Sequence, residues 1–205
     1  MPTATEQPET IDREDVERRV RGIVARSLDL EVDEVRSDSL LADELGAQSL
    51  DLLDMAFMLE REFRIQFPRT DIWERLTSQY GEETLMVDGV ITPYGRELLR
   101  RAMPETNVDG LRPRANAMDV MRLLNVETFV RIVLRLLEAK AAFPRACPDC
   151  GTTMQESEFM PEFVCPACGH VAPLPSGDDI LLQDLTVLIE QVEAERSEPH
   201  EVPAG

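Results

Sequence analysis

Histidine is scarce in this sequence: His170 and His200 are the only two. Nucleophilic catalysis of the Ser-His-Asp or Cys-His kind needs an imidazole beside the nucleophile. No convincing set of that kind can be assembled here, so the chain is not expected to be an enzyme. Cations are also short. There are 21 Lys and Arg against 40 Asp and Glu, a formal net charge of −19. Phosphate backbones and anionic membranes repel such a surface, so nucleic acid is not an expected partner. Basic patches on partner proteins would instead be steered in. No apolar run approaches the length of a membrane span. The first ten residues have no basic start and no apolar core, so no signal peptide is expected and the expected location is cytoplasmic. Cysteine is absent outside one window, Cys147, Cys150, Cys165 and Cys168, which leaves none for a scattered disulfide framework.

What is present is mostly helical patterning. Residues 1–9 are polar and read as disordered. Val16, Val20, Ile23, Val24 and Ser27 then recur at helical spacing, with Thr10 or Asp12 available as a cap. Residues 28–48 read as a long connection anchored by Val32, Val35, Leu40, Leu41 and Leu45. Gly46 breaks the chain, and Ser49 reads as the N-cap of a helix over 50–63. On that helix Leu53, Ala56, Leu59 and Phe63 read as core, with Asp51, Asp54, Met58 and Arg61 on the other side.

The rest follows the same logic. A short helix is expected over Ile72–Tyr80, ending at Gly81. A hairpin is expected over 85–91, because Asp88-Gly89 supplies the positive φ angles of a tight turn. Thr92-Pro93 reads as cap and first residue of a helix to Met103. Residues 104–117 read as a loop. Asn125 caps a strong helix to Lys140, with Val126, Phe129, Val130, Val133, Leu134 and Leu137 on its apolar face. A last helix is expected over 178–195, with Leu181, Leu185, Leu188 and Val192 on one stripe. The tail 196–205 reads as disordered.

A hydroxyl at a helix start after a flexible glycine is exposed, and the free N–H groups and dipole there favour a phosphate. Leu45-Gly46-Ala47-Gln48-Ser49-Leu50-Asp51 is such a site. With the first helix (Asp15-Val16-Glu17-Arg18-Arg19-Val20), the loop, the helix ending Leu59-Glu60-Arg61-Glu62-Phe63, and the helix from Asn125, the chain resembles the acyl carrier protein family. The resemblance implies a 4′-phosphopantetheine arm on Ser49, added by a phosphopantetheinyl transferase. It implies acyl thioesters for fatty-acid, polyketide or specialised lipid synthesis. It also implies a docking face of Asp51, Asp54, Met58, Glu60, Arg61 and Glu62 for acyl-handling enzymes with basic surfaces. Residues 28–62 hold eleven acids against Arg36 and Arg61, which suits that face. Two positions depart from the family: Gln48 stands where Asp usually precedes the serine, and Arg61 replaces an acid. Gln48 keeps open a second reading, an unmodified adaptor that binds partner proteins.

Between Phe63 and Val126 lie 62 residues, far more than the family's short connection. They read as an insertion at about 67–122, either a surface elaboration whose arginines pair with the carrier's own acids or a lid near the acyl group. The cysteines form two knuckles, Cys147-Pro-Asp-Cys150-Gly and Cys165-Pro-Ala-Cys168-Gly. That spacing suits a tetrahedral four-thiolate zinc site with no open position, hence a structural metal. It also resembles rubredoxin, which leaves an iron-binding electron carrier as a third reading. His170 is expected to be a surface residue, not a ligand. The expected architecture is therefore mainly α. A four-helix carrier bundle over 10–142 carries the insertion, and a β zinc ribbon over 143–174 and the terminal helix follow.

Overall fold

The structure is a computed structural model and describes residues 11–69 and 72–197. The expected disordered segment 1–9, the cap candidate Thr10, His200 and the tail 198–205 lie outside the described residues. In chain order the elements are α1 (Arg13–Leu28), α2 (Ser49–Phe63), α3 (Ile72–Tyr80), α4 (Glu82–Leu85), β1 (Met86–Val87), β2 (Val90–Ile91), α5 (Pro93–Ala102), α6 (Ala117–Met121), α7 (Val126–Ala142), β3 (Gln155–Glu156), β4 (Glu162–Val164), β5 (Val171–Pro173) and α8 (Gly177–Ser197). No described helix is long and apolar enough to cross a membrane. The chain divides into two units. One holds residues up to 69 and 124–180, the other 70–123 and the chain from 181.

In the first unit α1, α2 and α7 pack on one another. Asp12 caps α1, its carboxylate accepting from the Glu14 N–H at 3.0 Å, and Glu14 and Asp15 suit the positive end of the dipole. Val16, Val20, Ile23 and Val24 bury one face. α7 starts at Asn125, whose side chain accepts from the Thr128 N–H at 2.9 Å. The segment before α2 is laid against this start. The Leu41 N–H donates to Leu124 O (2.9 Å), Val126 N–H to Ser39 O (3.2 Å) and Glu127 N–H to Ser37 O (2.8 Å). The Ala47 N–H then donates back to Leu41 O at 2.8 Å. Val35 and Leu41 are buried anchors as expected, whereas Val32 is exposed, and Arg21 donates to the carbonyls of Val32 and Val35.

Two readings of α2 change. Ser49 is not the cap but the first helical residue, since extended Gln48 takes the cap position and its N–H donates to the Asp51 carboxylate at 2.7 Å. Leu53 is exposed, and Met55 is fully buried with Ala56, Leu59 and Phe63. A 100° step per residue puts Met55 with Leu59 and sets Leu53 aside with Leu50 and Phe57. On α7, Leu136 is buried, Leu134 and Leu137 are half-buried, and the helix runs to Ala142.

The three-stranded antiparallel sheet β3-β4-β5 forms the cysteine-bearing ribbon of this unit. Its core is Cys147, Met154, Phe163, Cys165 and Leu174, with Phe143 stacked on Phe163 at 5.4 Å.

The second unit contains most of the segment expected as an insertion. Its hairpin β1-β2 turns at Asp88 (φ 50°) and Gly89 (φ 72°), and Thr92 caps α5 by accepting from the Gly95 N–H at 2.9 Å. Residues 104–117 are not plain loop: a 3-10 turn covers Val108–Gly110, and α6 starts at Ala117 after an Asn116–Asp119 capping box. Leu76, Leu85 and Leu98 pack with Ile189 and Val192, so Ile189 joins the expected α8 stripe. α8 runs to Ser197, two residues beyond the expected end. Arg100 pairs with Asp109 and Glu97, Arg101 with Glu97 and Glu195, and Arg112 with Asp119. These three arginines therefore serve acids of their own unit. Met55→Ala should destabilise the first unit by about 2–5 kcal/mol, read as a lower midpoint in urea unfolding.

Candidate functional site

Gly46 has φ 74°, with nothing within 4 Å of the place a Cβ would take, so backbone conformation and not crowding requires glycine there. The chain then passes through buried Ala47 to exposed Gln48 and Ser49. Ser49 projects from the first turn of α2, where the N–H groups have no intrahelical acceptor. A phosphate ester there would meet those donors and the positive end of the dipole.

The expected docking residues are placed as follows. Asp51 is half-buried and holds the Gln48 N–H. Asp54 is exposed and accepts from Ser27 Oγ at 3.3 Å. Glu60 accepts from the Phe67 N–H at 3.0 Å and pairs with Arg69. Glu62 pairs with Arg19 at 2.9 Å. Met58 is half-buried, and Arg61 is exposed. Met58, Arg61 and Glu62 line a groove of about 440 Å³ with Ile23 and Arg26 of α1.

Leu50, Leu53 and Phe57 were not expected as surface residues, yet they are 79%, 45% and 48% exposed. They lie at i, i+3 and i+7 on the side of α2 opposite its core, and Arg69 covers the Phe57 ring at 4.2 Å. The signal was present: α2 has apolar residues on two faces, and only one can be core.

The four cysteine sulfurs lie within 4.8 Å of one another. Sγ separations are 3.6 Å for Cys147–Cys168, 3.4 Å for Cys150–Cys165 and 3.6 Å for Cys150–Cys168. A tetrahedron with Zn–S near 2.3 Å has edges of about 3.8 Å, so the cluster fits zinc. All four are free thiols. The knuckles repeat one another. Gly151 and Gly169 have φ 74° and 76°, their N–H groups each donate to the first cysteine carbonyl at 2.9 Å, and the Cys147 and Cys165 N–H groups donate to Thr152 O and His170 O. Hydrogen bonds from the Thr152 hydroxyl and N–H, with those from Cys165 and Cys168, pull the Cys150 thiol down to about 6. The His170 N–H lowers Cys168, but the other three thiols and burial outweigh it and push Cys168 up to about 12. His170 Nδ1 sits 2.8 Å from the Asp149 carboxylate, a bridge between knuckles and not part of the sulfur set. The protein should bind one zinc per chain by metal analysis, and Cys147→Ser or Cys165→Ser should abolish binding. Because thiolates bind with loss of protons, affinity should fall as pH is lowered.

Residues 18–78 match a family described as the phosphopantetheine attachment site. No solved structure matches the chain. The matched span opens in α1, contains the whole of α2 with Ser49 at its start, and reaches α3. The segment from Arg18 to Ser78 is therefore a phosphopantetheine-binding domain of the acyl-carrier type.

Proposed function

We propose that Ser49 carries the 4′-phosphopantetheine arm and that the protein holds acyl intermediates on it as thioesters. The pathways that fit are fatty-acid, polyketide or specialised lipid synthesis, in the cytoplasm. The observation that carries this reading is an exposed serine at the first position of α2, inside the matched span. The chain supplies no chemistry of its own in this reading. It presents the arm, and enzymes with basic docking surfaces act on it. Asp54 with Leu50, Leu53 and Phe57 would form the contact surface nearest the arm. Asp51, Glu60, Arg61, Glu62 and Met58 would complete it. Zinc would be held by Cys147, Cys150, Cys165 and Cys168, in a closed set that leaves no place for a substrate.

Gln48 is the feature that favours the adaptor reading. A transferase that uses a cation to grip the usual Asp loses a charge-assisted bond there. Intact mass after incubation with coenzyme A and a broad-specificity phosphopantetheinyl transferase should show one phosphopantetheine increment, absent from Ser49→Ala. No increment, even with a transferase of the native host, would replace the carrier by the adaptor. Gln48→Asp should raise kcat/KM for the broad-specificity transferase roughly tenfold, the worth of one charge-assisted contact of about 1.4 kcal/mol.

A further inference from the structure

Lys140 ties the ribbon to the far end of α2. Lys140 of α7 is the only lysine in the chain. Its side chain is 13% exposed. Nζ donates to Phe63 O at 3.1 Å, to Arg64 O at 3.4 Å and to the Glu156 carboxylate of β3 at 2.5 Å. The Arg64 guanidinium approaches the same carboxylate at 3.7 Å. A compact ammonium with three donors suits three acceptors that converge from different directions, which a planar guanidinium fork does not.

The segment it holds is strained and important. Arg64 ends α2 at φ 51°, a left-handed conformation that costs a non-glycine residue about 1–2 kcal/mol. Ile65 and Phe67 then return to the core, where Phe67 packs edge-on to Phe129 at 5.3 Å. The far edge of the ribbon holds the same turn. Gln66 Nε2 donates to Leu174 O at 3.4 Å, and the Gly177 N–H donates to Gln66 O at 2.8 Å. A Cβ at 177 would lie 2.5 Å from that oxygen, so the approach needs glycine.

The ribbon is poorly able to hold this turn unaided. Two of its five buried core residues are the cysteines Cys147 and Cys165. A core this small does not fold by apolar burial alone, so metal binding supplies the folding free energy.

We propose that Lys140 is a positioning residue that transmits zinc occupancy of the ribbon to the C-terminal end of α2, the helix that begins at Ser49. This rests on the carrier and zinc readings above. With zinc bound, β3 holds Glu156 against Lys140, and the ammonium caps the last carbonyls of α2, where a cation is favoured. Without zinc, Glu156 and Leu174 lose their places and the turn at Arg64 opens. The carrier then presents an α2 whose final turn is frayed.

Hydrogen exchange on the full chain tests this. The Ile65 and Phe67 amides are bonded to Glu60 O (3.3 Å) and the Glu60 carboxylate (3.0 Å). Removing zinc with a chelator should speed exchange at both at least tenfold and leave the Val20 and Ile23 amides of α1 unchanged. Lys140→Ala with full zinc content should show the same acceleration. Lys140→Arg should not restore protection. Glu156→Gln, which removes only the charge opposite Lys140, serves if Lys140→Ala does not fold, and should also accelerate exchange. Unchanged exchange on zinc removal, or wild-type exchange in any of these zinc-loaded variants, overturns the proposal. A chain that neither carries nor takes up zinc overturns the metal reading and this proposal with it. Failure to modify Ser49 overturns the carrier reading and leaves the exchange result standing.

Discussion

The presentation of Ser49 depends on the short ladder between residues 37–41 and the start of α7. The bonds from Leu41, Val126 and Glu127 fix a 20-residue connection that otherwise holds one 3-10 turn, Val32–Glu34. They do so at the N-terminus of a helix whose own first donors need partners. Once Leu41 is held, the Ala47 N–H can reach its carbonyl, Gly46 can take its positive φ, and the chain arrives at Gln48 already extended. α7 comes after the whole inserted segment, yet it supplies the other half of the ladder. The chain between Phe63 and Leu124 can be long because loop-closure entropy grows only slowly with length. Only its two ends have to be placed.

The features legible in the sequence are those whose physics is local. The cysteine knuckles, the Asp88-Gly89 turn, the Thr92-Pro93 helix start and the Asn125 cap each depend on residues a few positions apart, and each takes the expected form. What was misread depends on choices that local pattern leaves open. Serine is the better cap by propensity, but the Asp51 carboxylate favours Gln48 as the capping position and moves Ser49 into the helix. Leu53 and Met55 are equally apolar, and only packing against α1 and α7 decides which is buried. α6 has five residues, too few for a period to show. The partners of Glu60, Glu62 and Lys140 lie across turns or on other elements, where spacing carries no signal.

The acids of α2 have intramolecular bonds, but these do not remove them from docking. The Arg19–Glu62 pair is partly exposed at 36% and 42%, and exposed pairs contribute about 0–1 kcal/mol. A basic partner can displace such a bond at small cost. The apolar residues Leu50, Leu53 and Phe57 are exposed on the side of α2 away from the core of their unit, and Arg69 covers part of the Phe57 ring. In the proposed docking, charge would steer the encounter and the apolar stripe would set how long it lasts.

A thioester is an activated acyl group, and any free amine or thiolate within reach can take the acyl chain from it. Among the described residues such groups are few. The single lysine is held by three acceptors, and the four thiols are gathered in one cluster at the ribbon. His170 is bonded to Asp149. Arginine supplies the positive charge everywhere else, and its guanidinium keeps its proton and is no nucleophile. In the proposed carrier, this composition would leave the reactive acyl group few side chains to react with among the described residues.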